Sequence, residues 1–250
     1  MQATAEIVHK DHNEAKADTM MSMKKRRALY SMGSLLPEDI LELIPYQNTL
    51  EAIEDQSEEW EENLKKHLCN YVCVMTNKIY QFSWDQMETK EDKRRVVKQL
   101  VYLDALITLY RMPNQFSASL SDLVERFRQL PEDPLLAILE KFCKITIDDP
   151  SGKGAKRRNV VRHDNQNGTR FSFLKSKEDM KTLILNIIGL VVHMSTQQQS
   201  RGSFLARILK KDVGELRTYF KELGLVVENA EKVDIVTGHK KQDIWVYFNR

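Results

Sequence analysis

Cysteine, glycine and proline are all scarce in this chain of 250 residues, which holds 3, 9 and 6 of them. Three cysteines cannot build a disulfide framework, so a reducing compartment is expected. Glycine and proline together fall well below the roughly 12% of average usage. That excludes collagen-like and linker-type chains and favours helices joined by few turns. No run of 18 apolar residues occurs. The longest apolar patch, Leu183 to Met194, contains Asn186 and His193 and is too short to span a bilayer. The first thirty residues hold no continuous apolar segment, so no secretory signal is read there. With 42% hydrophobic and 30% charged residues, the chain can bury a core and is not globally disordered. A soluble intracellular protein of one or two small domains is expected.

The formal net charge of +2 conceals a split. Residues 1–62 carry 6 Lys+Arg against 14 Asp+Glu, whereas residues 63–250 carry 32 against 22. An acidic arm precedes a basic body. The arm contains a basic knot, Lys24-Lys25-Arg26-Arg27, which reads equally as an import signal or as a solvated stretch. Pro37 and Pro45 limit any helix between them to about two turns. Residues 1–56 therefore read as a largely extended linker with one short docking segment, Leu35 to Pro45. So few apolar residues suggest an arm that contributes little core, and a body that folds without it.

From residue 57 onward helix signals dominate. Leu64, Leu68, Tyr71 and Met75 predict one long helix over Glu58 to Ile79. Thr89-x-x-Asp92 predicts the start of a second, carrying Val96, Leu100, Leu103, Ile107 and Tyr110 and ending before Pro113. Ser119-x-x-Asp122 opens a shorter helix, and Asp133-Pro134 opens another through Phe142. Ile145 and Ile147, then Phe171 and Phe173, alternate as strands do. The order then repeats. Ser176-x-x-Asp179 caps a helix through Met194. A Gln-rich turn at Gln197 to Gln199 leads to a short helix, Phe204 to Leu209. Asp212-x-x-Glu215 opens a third helix, which Gly224 closes. Leu225 to Val227 and Ile244, Val246 and Phe248 form a hairpin. The predicted fold class is mainly α with small β-hairpins, an α+β tandem of winged-helix units preceded by a linker. The first unit covers residues 57–174 with a leading helix, and the second covers residues 175–250. An irregular α+β domain with two chance hairpins is the alternative.

The cations fall in two places. Between Pro150 and Lys175 there are 7 Lys+Arg and one acid, Asp164. Lys153, Lys156, Arg157, Arg158, Arg162 and Arg170 would make a cationic wing able to displace counterions from phosphates; an ordinary solvated loop is the alternative. Around the last helix, Lys210, Lys211, Arg217 and Lys221 form a second set, opposite a buried stripe of Val213, Leu216, Phe220 and Leu223. Asn, Gln and multiple Arg are missing from that face, so weak sequence preference is expected. The third helix of the first unit, Leu135 to Phe142, is almost wholly apolar and suits packing on a partner or on the other unit.

Signatures of chemistry are wanting. Gly152 and Gly154 do not form a phosphate-cradling loop, because Lys153 is followed by Gly rather than Ser or Thr. His67, Cys69 and Cys73 resemble metal ligands but have no second pair nearby, and His9-x-x-His12 lies in the acidic arm. His193 falls on the apolar helix and reads as a packed or surface histidine. No nucleophile–base or paired-carboxylate arrangement is apparent. Neither cofactor, metal, membrane nor small-molecule substrate is expected, and an enzyme is unsupported.

Val96 to Arg111 (VVKQLVYLDALITLYR), Ile138 to Ile147 (ILEKFCKITI) and Met180 to Val227, with His193-Met194 closing the hydrophobic helix, resemble the C-terminal half of the forty-nine-kilodalton subunit of RNA polymerase I, the polymerase I-associated factor family. Leu35-Leu36-Pro37 and Glu58-Glu59-Trp60 resemble the linker before that half. The resemblance spans roughly residues 35–230 and rests on packing patterns. It implies a tandem winged helix, similar in plan to the small subunit of the general factor TFIIE. By that resemblance the chain would be a non-catalytic subunit of RNA polymerase I in the nucleus and nucleolus. It would bind DNA with little sequence specificity and support initiation and elongation on ribosomal RNA genes. The family's N-terminal β-barrel, which pairs with a smaller subunit, is not read in the residues before 57, so that pairing is not carried over. A protein–protein interaction scaffold that does not touch nucleic acid is the rival reading.

Overall fold

The structure is a computed structural model and describes residues 35–55, 57–128, 130–147, 170–195, 198–233 and 240–248. It is mainly helical, with two small antiparallel sheets. Four helices lead: α1 (Glu38–Leu43), α2 (Gln47–Glu54), α3 (Trp60–His67) and α4 (Asn70–Ser83). The first unit then runs α5 (Lys90–Arg111), β1 (Gln115–Ser119), α6 (Leu120–Arg126), α7 (Glu132–Phe142), β2 (Lys144–Ile147), β3 (Arg170–Leu174). The second replays it as α8 (Lys177–Met194), β4 (Gln199–Arg201), α9 (Gly202–Leu209), α10 (Val213–Glu222), β5 (Leu225–Val233), β6 (Lys240–Phe248).

Local chemistry sets many of these boundaries. The Thr89 side chain accepts the Asp92 amide at the head of α5, and Ser119 and Ser176 form reciprocal capping boxes with Asp122 and Asp179. Gly224 closes α10 at φ +69°, a conformation that costs glycine little.

Each expected hairpin gains a third strand. β1 pairs with β3 (Phe116 opposite Phe173) and β4 pairs with β6 (Ser200 opposite Val246), giving the orders β1-β3-β2 and β4-β6-β5. Neither added strand is among those expected: Gln115–Ser119 alternates, with Phe116 and Ala118 facing inward, but is short and mostly polar, and β4 replaces part of the expected Gln-rich turn. Both exist because the return strand, β3 or β6, offers a second edge for pairing.

Three further expectations are corrected. The single helix over Glu58 to Ile79 is two, α3 and α4, broken at Leu68 and Cys69, whose backbones are extended. The Cys69 amide instead donates to the buried Asp104 carboxylate of α5 at 2.7 Å. Asp133 does not cap α7, which begins at Glu132 after Pro131. The linker reading of residues 1–56 fails for residues 35–54. These form α1 and α2 and bury Leu35, Leu36, Ile40, Leu41, Ile44 and Ile53. The prolines shorten the helices, as expected, but a short helix can still lay its apolar side on the body. α1 rests against α7 and α5, and α2 against α3 and α5.

One hydrophobic core runs through both units and the leading helices. Its centre is the packing of α5 against α8, the first helix of each unit. Leu35 sits over Gly189 of α8, where a Cβ would come within 2.6 Å of the Leu35 Cδ1. α7 packs against α1, α5 and α8, which accounts for its apolar composition. Two buried charges knit the elements. Arg128 Nη1 donates to Asp104 at 2.8 Å. Lys175 is 3% exposed, and its Nζ donates to the Leu109 and Met112 carbonyls, each at 2.7 Å, satisfying the C-terminal end of α5. Burial lowers the Lys175 pKa.

Candidate nucleic-acid interface

α10 is positioned by the stripe expected of it. Leu216, Phe220 and Leu223 are fully buried and Val213 is half-buried. Because these residues point inward, Gly214, Arg217 and Lys221 are exposed on the opposite side, and Lys210 is exposed just before the helix. Lys210 closes α9 with φ +49°, a left-handed conformation that costs a residue with a side chain about 1 kcal/mol. Beyond Gly214 lies open space, so no packing partner demands a glycine there. Its absent side chain leaves the face low at that point.

The charge on this face is shaped by its neighbours. Lys211 donates to Glu215 at 3.2 Å, a bond that raises the lysine pKa and offsets its charge. Glu222, at the far end of α10, is met by Lys181 of α8 at 2.9 Å. Both acids of the helix are thus held to the side by lysines from other segments, and Arg217 and Lys221 dominate the outward stripe. The arrangement suits sequence-independent contact with phosphates. The Tyr110 hydroxyl donates to the Leu209 carbonyl at 2.7 Å, so α5 of the first unit anchors the turn that precedes α10.

Arg170 is exposed where β3 begins, opposite Ser119 in the register. It belongs to the first sheet, whereas the α10 cations belong to the second unit. Residues 148–169 connect β2 to β3. Lys153, Lys156, Arg157, Arg158 and Arg162 lie outside the described residues, as do Lys24 to Arg27 and the His9–His12 pair.

Sequence reading missed a third cationic group. Lys78, Arg201 and Arg207 come together from α4, β4 and α9 to line one cleft with Phe204 and Trp245. Their wide separation along the chain left no spacing to notice. The Asp104–Arg128 pair was also missed, although a lone acid inside the apolar run Val101 to Leu109 is a signal of a buried partner.

The cysteines are not poised for reaction. Burial pushes the Cys69 and Cys143 thiols up to about 12 and Cys73 to about 11. Among the described residues no group of three or more His, Cys, Asp or Glu could hold a metal ion. His193 stacks on Phe248 with centroids 4.3 Å apart, a packed histidine. Among the same residues no helix is long and apolar enough to cross a membrane.

No curated protein matches the sequence. A family model does, over residues 18–243, taking in the leading helices as well as both helix–strand units. Its extent answers to the single core in which those parts are packed, and the chain belongs to the family of A49-like RNA polymerase I associated factors.

Proposed function

We propose that the chain is a non-catalytic subunit of RNA polymerase I that binds DNA by charge, with little sequence preference, through two winged-helix units. In this reading it works in the nucleus and nucleolus, supporting initiation and elongation on ribosomal RNA genes. The observation that carries the polymerase association is membership of the family across residues 18–243. The DNA reading is supported by the order helix–strand–helix–helix–strand–strand, present twice. In such a unit the third helix and the loop between the last two strands approach the nucleic acid. In the second unit that helix is α10, with Arg217 and Lys221 outward. In the first unit α7 is buried against α1 and α8, which leaves the loop cations and Arg170 as its means of contact. Phosphate contact without base-reading side chains gives affinity without specificity.

A salt titration on one duplex tests this reading. Changing Lys156, Arg157 and Arg158 to Ala flattens the slope of log affinity against log salt by up to about 0.9 per lost contact, and Arg217→Ala with Lys221→Ala does the same. The loss is similar on unrelated sequences. An unchanged slope in both variants, or no binding by the wild type in dilute salt, refutes DNA binding and favours the interaction scaffold.

A further inference from the structure

Two large apolar side chains of α4 stand out into solvent, Val74 at 48% and Phe82 at 59% exposure. Lys78 lies between them, so the three fall on one helical stripe at i, i+4 and i+8. This stripe is one wall of a cleft of about 540 Å3 whose opposite wall is β4, at the edge of the second sheet, with the start of α9. Such a volume lies within the roughly 300–1,000 Å3 of ligand clefts. Met75 and Ile79, both buried, supply an aliphatic floor.

The rim is positive. Lys78, Arg201 and Arg207 line it, and among the described residues no Asp or Glu does. Aromatic rings hold these cations in place. The Arg201 guanidinium lies 4.4 Å from the Trp245 ring centroid, and Lys78 and Arg207 approach Phe204 at 5.8 and 5.9 Å. A ring face orients a cation without cancelling its charge. The carboxylate that approaches Arg201, Asp243, is 3.8 Å away. Asp243 is buried, accepts from the Ser203 amide and hydroxyl and from the Ile244 amide, and offsets part of the Arg201 charge from beneath, so Lys78 and Arg207 supply most of the positive charge of the rim.

An aliphatic floor under an acid-free cationic rim matches one kind of ligand. Single-stranded nucleic acid needs successive open aromatic faces for its bases, whereas here Phe82 is exposed but Phe204 and Trp245 already face cations and Val74, Met75 and Ile79 occupy the rest. We propose that this cleft docks an acidic segment of a partner protein, with Leu or Phe anchors seated between Val74 and Phe82 and carboxylates paired with Lys78, Arg201 and Arg207. The site is separate from the proposed DNA contacts and does not depend on them.

Fluorescence anisotropy of the full chain with a labelled peptide of about fifteen residues, alternating Asp or Glu with Leu and Phe, tests the proposal. Saturable binding is expected. Lys78→Glu with Arg207→Glu weakens it by at least about tenfold and confers binding of a peptide with Lys in place of the acids. Phe82→Ala also weakens binding while leaving the thermal transition in place, because the ring is exposed. The proposal is overturned if an all-acid peptide without Leu or Phe binds as tightly, or if both variants bind like the wild type. It is equally overturned if oligothymidylate, rather than the peptide, binds the wild type and is lost in these variants.

Discussion

Cutting the chain after residue 56 is the perturbation on which sequence and structure disagree most. The arm places six large apolar side chains in the core: Leu35, Leu36, Ile40, Leu41, Ile44 and Ile53, each no more than 6% exposed. Full burial of such a side chain stabilises by about 1.5–3 kcal/mol, so the six together amount to roughly 9–18 kcal/mol. That equals or exceeds the whole net stability of a typical domain, about 5–15 kcal/mol. The cut also removes the covering over α5, α7 and Gly189, and the Ile53 carbonyl that accepts the Trp60 indole N–H at 3.0 Å. Residues 57–250 alone are therefore expected to show no cooperative thermal transition by circular dichroism. Ile53→Ala in the full chain gives a graded version. It costs about 2–5 kcal/mol, and at about 2–4 °C per kcal/mol the midpoint falls by roughly 4–20 °C. If the truncated chain melted cooperatively within a few degrees of the full one, α1 and α2 would not be part of the core and the reasoning would fail.

Other outcomes follow from single sites. Phe220→Ala should destabilise by about 3–5 kcal/mol, because the ring is fully buried, and the exposed Arg217→Ala by less than about 0.5 kcal/mol; denaturant melts in the reverse order would mean α10 is rotated. Gly202→Ala should cost about 1–3 kcal/mol, since the new methyl would meet the Ile244 side chain, its Cδ1 at 2.8 Å; an unchanged urea midpoint would refute that contact. Lys141 is half-buried with no hydrogen-bond partner for its Nζ among the described residues, and burial lowers its pKa to about 8. The unfolded lysine titrates near 10.4, so between about 8 and 10.4 this group binds more protons in the unfolded state and pushes stability up with pH, against the fall that the three raised thiols impose from about 8.5 upward. Lys141→Met should remove the lysine's share, so that stability falls more steeply above about pH 8, and should stabilise the protein at neutral pH; a pH–stability curve identical to wild type would refute it.

Whatever is decided within one or two turns of chain could be read from the residues alone. Ser119, Ser176 and Thr89 cap their helices through amides three residues away, and Gly224 ends α10 through its own backbone. The inward stripe of Leu216, Phe220 and Leu223, and with it the outward stripe of Arg217 and Lys221, follows from helical periodicity. The hairpin strands were legible from alternation for the same reason. Features that depend on partners far along the chain emerged only with the packed fold. The break between α3 and α4 is made by Asp104, 35 residues beyond Cys69, and periodicity carries smoothly across it. β4 is a strand because β6 offers it an edge, and β1, whose five residues alternate only briefly, because β3 does. The arm looked like a linker because composition averages over residues 1–56, whereas the side chains that reach the core lie from Leu35 onward, where the body meets them. The cleft joining Lys78 to Arg201 and Arg207 exists only once α4 lies beside the second sheet, for no spacing in the sequence brings those three charges together.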